Sequence, residues 1–269
     1  MSRSTTRLGA LLTAAAAAFA TLAVLPITAA AAGPATAPLT DGWRPAPTAI
    51  TVTAHLFHAT DQKAVRVSPA SSPRPCRDDK WDKKSVNRWA QAYAWWFQAS
   101  STPTGLGKRA TERVLKRSIA NITGVRNDCG RPDRVSATSI YRGRTDRKPA
   151  PTAKASCSGR DGYNVVGFGR LPSGIAGLTC IYSYPSGQII EADIKLDRDA
   201  RWAISLATCN FASMVEAVAT HEFGHVFGLG HVSESTHGRL TMSERLDGYC
   251  QLNEATLGKG DMLGLESRY

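Results

Sequence analysis

The residues between Ser213 and His231 hold the chemistry that this sequence offers. His221-Glu222-Phe223-Gly224-His225 sets two imidazoles four residues apart. On a helix that spacing puts both on one face, one turn apart, where they can grip one metal from the same side. Glu222, beside the first histidine, can point at a water on that metal. Gly228 comes three residues after His225. A glycine there can take the left-handed conformation that ends a helix and turns the chain sharply. That turn lets His231, three residues on, return as a third ligand. Three neutral imidazoles favour zinc over calcium or magnesium, which want oxygen ligands. Three protein ligands leave a fourth position open, the mark of a catalytic rather than a structural zinc. A water there has its pKa lowered towards about 7. Glu222 would take its proton and pass it to a leaving amine.

Such a site needs rigid elements to carry it. Ser213 followed by Glu216 reads as a capping box, so a helix should begin near Ser213. Upstream, Ala92–Gln98 is aromatic and strand-like. Residues 106–123 carry Ala110, Val114, Leu115, Ile119 and Ile122 at helical spacing. Strands are expected at 135–141, 164–170, 176–184 and 189–196, with Pro185-Ser186-Gly187 turning between the last two. The order strand, helix, four strands, long helix predicts an α+β domain with a mixed sheet backed by helices.

The chain has 269 residues, 42% apolar and 20% charged, which excludes a disordered or collagen-like polymer. Arg3 and Arg7 precede an uncharged, Ala-rich run that ends in Ala30-Ala31-Ala32. This reads as a secretory signal peptide over residues 1–32, and no other segment is apolar and long enough to span a membrane. Residues 33–80 are a linker, a pro-segment or an N-terminal arm, too small for a core of their own. Within them Ile50–Phe57 alternates like a short strand. His55 and His58 form H-x-x-H, but no third ligand lies near and the pair is not read as a metal site. Residues 81–269 are expected to form the catalytic domain. All six cysteines follow residue 32, which in an exported chain reads as three disulfides. The formal net charge is +11, but the basic residues are dispersed and lack interleaved aromatics. That predicts a solvated basic surface and no nucleic-acid partner. The expected product is extracellular and monomeric.

His-Glu-x-x-His-x-x-Gly-x-x-His, followed by Met242 in Leu240-Thr241-Met242-Ser243, resembles the metzincin zinc metallopeptidases and their Met-turn. Within them the stretch from His221 to His231 looks most like the matrixin branch. Glu191–Leu196 resembles the strand before the active-site helix of bacterial, secreted matrixin-like peptidases, and Gly260–Leu265 their C-terminal helix. The resemblance implies a zinc endopeptidase with a five-stranded, mostly parallel sheet and two main helices. A small C-terminal subdomain would follow Gly228. It also implies an edge strand above the metal that pairs with an extended peptide substrate. Gly174–Thr179 matches that strand, with Gly177 and Leu178 as candidate contacts.

The Met-turn must pack beneath the helix, so Cys209 is expected to pair with Cys250. Cys157–Cys180 would then tie neighbouring strands, and Cys76–Cys129 would anchor the N-terminal arm. Cys129-Gly130-Arg131-Pro132-Asp133 matches the core of the matrixin cysteine switch, but it follows the sheet-backing helix and is read as a disulfide site. Val232 stands where animal matrixins usually have Ser. The residues of a second, structural zinc site are missing, so one zinc is expected. Calcium has only the loop acids Asp197 and Asp199 in its favour. The alternatives are a zinc hydrolase of a non-protein cell-wall amide, or an extracellular binding protein that retains the fold. Against the latter, Glu222 and all three ligands are present.

Overall fold

The structure, a computed structural model, describes residues 49–59, 72–246 and 248–269. The expected signal peptide lies outside them, as do residues 33–48 and 60–71 of the expected arm. In chain order the elements begin with strands β1 (Thr51–His58), β2 (Arg88–Trp89) and β3 (Tyr93–Phe97), then helix α1 (Lys108–Thr123). Strands β4 (Ser139–Arg144), β5 (Val165–Gly169), β6 (Ile175–Ser183) and β7 (Gln188–Asp197) follow. Short strands β8 (Trp202–Ala203) and β9 (Ser213–Met214) lead into helix α2 (Val215–Val226). The chain ends with α3 (Glu234–His237) and α4 (Lys259–Glu266).

The main sheet runs β1-β6-β7-β5-β3-β4, with β2 also paired to β7. Five of its strands, β6-β7-β5-β3-β4, are the expected mostly parallel sheet: β7, β5, β3 and β4 are parallel, and β6 is antiparallel to β7. Two further strands join it. β2 adds to β7, and β1 lies antiparallel along the outer edge of β6. β6 is buried at every position and β7 at most, as strands covered on both faces are. β4 alternates between half-buried and exposed, as an outer strand does.

α1 and α2 pack on each other, and α2 packs on β6 and β7. All twelve residues of α2 are buried, so it is a core helix rather than an amphipathic one. Phe223 on α2 meets the edges of Tyr93 and Trp95 from β3, which fastens the helix to the sheet. The β6–β7 hairpin turns at Gly187, where φ is +84°, as the Pro-Ser-Gly signal predicts.

Two expectations shift. The strand predicted at 135–141 lies at Ser139–Arg144, because the Ser136 backbone N–H and hydroxyl both go to the carbonyl of Tyr269 instead of a strand partner. The capping box does not form. Ser213 is in β9, Met214 is the N-cap residue, and no side chain caps α2. Glu216 instead accepts from Arg117 at 2.8 and 3.0 Å and from Asn121 at 3.3 Å, joining α2 to α1. The three disulfides are Cys76–Cys129, Cys157–Cys180 and Cys209–Cys250, the pairing expected. Cys129 therefore carries no free thiol.

Candidate metal centre and active site

His221 and His225 project from one face of α2, and the chain after it brings His231 to them. α2 stops at Phe227, and Gly228 takes φ +86°. A Cβ there would also run into the Asn87 carbonyl, so the turn needs glycine for space as well as for conformation. Ser85 donates to the Gly228 carbonyl at 2.7 Å, and the Trp89 indole donates to that of Val226 at 2.9 Å. These bonds occupy carbonyls left open at the helix end.

The three Nε2 atoms converge. His221 and His225 are 2.9 Å apart there, and His231 is 3.0 Å from each. Nδ1 of His221 lies 2.7 Å from the Thr241 carbonyl, and Nδ1 of His225 lies 2.8 Å from that of Leu229. A carbonyl only accepts, so both Nδ1 atoms carry the proton and both Nε2 atoms present lone pairs. Burial lowers the pKa of all three rings, that of His231 to about 4, so they stay neutral. Lone pairs pressed together with no proton between them repel, and a cation that accepts nitrogen relieves this. Zinc fits such a donor set.

Glu222 is fully buried on α2 beside these rings. Its Oε2 accepts from the Thr179 hydroxyl of β6 at 2.5 Å. Its Oε1 has no hydrogen-bond partner among the described residues. Burial raises its pKa to about 8, and the Thr179 bond works the other way. Gly177, two residues before Thr179, faces the same carboxylate, and a Cβ there would collide with Oε1. Leu178 points to the opposite face, as strand alternation requires.

Met242 lies beneath the helix. Its sulfur occupies the space that a Cβ on Gly224 would need, so Gly224 lets the turn approach. Asp261, third residue of α4, organises this turn. Its Oδ2 accepts from the backbone N–H groups of Gly258 and Thr241 at 2.9 and 3.0 Å, and its Oδ1 from that of Met242 at 3.2 Å. The same Thr241 offers its carbonyl to His221.

Thr179 and Asp261 were not singled out from sequence, and neither forms a motif with the residue it serves. The H-x-x-H pair was set aside as a metal site, yet β1 carries its first member to the centre. The His55 ring stacks on His225 with centroids 4.1 Å apart, and Phe57 lies 4.2 Å from His221. Among the described residues only His221, His225 and His231 group as a metal site. His237 pairs with Asp78 at 2.9 Å. Asp197 accepts from the Leu171 N–H, and Asp199 lies 3.4 Å from Arg170. Neither acid supports calcium. Gly177 and Leu178 are paired with Phe57 and Leu56 of β1.

Among the described residues no helix is long and apolar enough to cross a membrane. No curated protein matches the chain. Residues 174–269 match the Matrixin family model, a stretch that holds β6, β7, α2, the three histidines, Met242 and α4. Over that stretch the chain is similar to the matrixins, a family of zinc-dependent peptidases.

Proposed function

We propose that this chain is a secreted zinc endopeptidase in which His221, His225 and His231 hold the metal and Glu222 moves the proton. The observation that supports it best is the convergence of three Nε2 atoms beside a buried carboxylate with one oxygen unpartnered among the described residues. Zinc, when bound, supplies a Lewis acid that acidifies a water and polarises a carbonyl. Glu222 accepts the proton of the attacking water at Oε1, while Thr179 holds Oε2 and fixes the plane of the carboxylate. Burial raises the affinity of Glu222 for the proton it takes from water. The edge of β6 aligns an extended peptide by main-chain hydrogen bonds. Met242 and Gly228 are supports, one beneath the rings and one at the turn.

A leader over residues 1–32 and three disulfides support an extracellular setting. The protein acts as a monomer on protein or peptide, with no nucleic acid or membrane as partner. The test is Glu222→Ala. It should keep about one zinc per chain and lose on the order of 10²–10⁴-fold in hydrolysis of unfolded casein. Near-normal hydrolysis with zinc retained would assign the base elsewhere. Hydrolysis of cell-wall amides but not casein would replace the peptide reading.

A further inference from the structure

We propose that a recess beyond the carboxyl ends of β3, β5 and β7 binds the phosphate group of a small hydroxylated ester, of the sugar phosphate class. The site is separate from the three histidines, and the proposal goes beyond the peptidase reading.

The recess has a volume of about 230 Å³ and is lined by three cations, Lys148, Lys195 and Arg198, and by no acid. Among the described residues none of the three has an ion-pair partner. Cations gathered without a counter-charge repel one another, and an anion between them relieves this. Burial lowers the pKa of Lys195, Asp193 raises it, and the charge of Lys148 lowers it again. Thr179 reaches Glu222 of α2 and pairs with Ile194, so Lys195, the next residue of β7, faces away from that helix.

Glycines on β5 make the room. A Cβ on Gly169 would press on the Lys195 stem at 3.0 Å. One on Gly167 would meet the Gln98 side chain at 3.0 Å and the Ser101 hydroxyl at 3.1 Å. Glycine inside a strand marks such close approach. Gln98 is the second, independent sign. It is 8% exposed and lines the recess, yet its side-chain amide has no hydrogen bond among the described residues. Its neighbour Ser101 is satisfied, donating to the Gln98 carbonyl at 2.5 Å and accepting from the Phe168 N–H at 2.8 Å. A buried amide without a partner is costly, and an anionic oxygen accepts what its NH₂ offers.

The recess opens at Ser100 and Arg198 into a second cavity of about 800 Å³, which shares both residues. Thr102, Thr104, Thr208 and Asn210 line it with hydroxyls and an amide. Its one acid, Asp199, lies 3.4 Å from Arg170. The small recess therefore suits the phosphate, and the larger polar cavity suits the hydroxylated body. The carboxyl ends of parallel strands are where open sheets bind ligands in general.

The test is calorimetric titration of the zinc-loaded full chain with glucose 6-phosphate, inorganic phosphate and glucose. The ester should bind at least 10-fold more tightly than inorganic phosphate, and glucose should not bind. Lys195→Met keeps the stem over Gly169 and should weaken the ester at least 10-fold. Gln98→Leu should weaken it about 5-fold with the melting temperature held. Lys108→Met removes a cation of α1 outside the recess and should change nothing. His225→Ala, with its metal site impaired, should bind the ester as wild type does. Equal binding of ester and inorganic phosphate would overturn the proposal. So would equal losses in Lys195→Met and Lys108→Met, which would mean diffuse charge. Binding lost in His225→Ala would place the phosphate on the metal and overturn it as well.

Discussion

Asp261 holds Met242 in place: its Oδ1 accepts the methionine's N–H, while its Oδ2 takes those of Thr241 and Gly258. One buried carboxylate therefore ties α4 to the turn beneath the histidines. Thr241 passes the constraint on, because its carbonyl orients His221. Asp261→Ala should leave three buried donors without an acceptor and cost on the order of 3 kcal/mol in urea denaturation. Zinc affinity should fall about 10–100-fold, as for other groups that orient a ligand. Unchanged affinity in a folded variant would show that the turn holds itself.

The same residue gives a pH signature. Burial pushes the Asp261 carboxyl up to about 6, with the three N–H groups pulling it down. In the unfolded chain it titrates near about 3.9. Between those values the folded state binds the extra proton, so the stability it contributes is full below about 4 and declines as pH rises through about 6. Wild type should lose stability relative to Asp261→Asn across this window. A difference that stays constant from pH 4 to 7 would contradict the assignment.

Two residues of β6 set the carboxylate of Glu222. Thr179→Val removes the hydroxyl that donates to it and should lower turnover about 10-fold with zinc retained. Gly177→Ala puts a methyl where Oε1 sits and should displace the carboxylate. A loss of about 10²-fold in kcat is expected, since small misplacements at a reacting group have effects of that size. Wild-type turnover in Gly177→Ala would mean that the carboxylate has room to move.

Cys209–Cys250 closes a loop with a sequence separation of 41 between the loop that precedes β9 and the segment after Met242. Replacing both cysteines by serine should destabilise the fold by about 4 kcal/mol, if unfolded-chain entropy dominates. Chemical denaturation of the double variant measures this. A loss under 1 kcal/mol would mean that the segment is held by its packing alone.

Removing metal should lower the melting temperature of wild type, because zinc binds the folded chain and not the unfolded one. The effect is about 3–4 kcal/mol at free zinc between 100 and 1,000 times Kd. His225→Ala should melt at the same temperature with and without chelator. A chelator effect that survives in His225→Ala would place the stabilising metal elsewhere.

The grouping of the three histidines was legible because local geometry writes it. A helix fixes the spacing of His221 and His225, and one glycine with positive φ places His231. α1 was legible for the same reason, its apolar positions recurring at helical spacing. What failed to show depended on partners remote in sequence. The strand expected at 135–141 moved because Ser136 bonds to Tyr269. The capping box gave way because Arg117 claims Glu216. Ile50–Phe57 could be read as a strand, but nothing in eight residues says which edge it joins. So the nearness of His55 and Phe57 to the histidines stayed hidden.

β1 pairs with residues about half the chain's length away. Contacts that span so much sequence form late, since the loop must be closed before they repay its entropy. The β6–β7 hairpin is local, and α2 follows it directly. A chain synthesised from its amino terminus therefore makes β1 first and seats it only after β6 and β7 have paired. There is an interval during assembly in which the histidines are in place and the cleft beside them is open. Pulse-labelled hydrogen exchange during refolding should record protection in β6 and β7 before β1. Simultaneous protection would mean that the arm belongs to the folding nucleus.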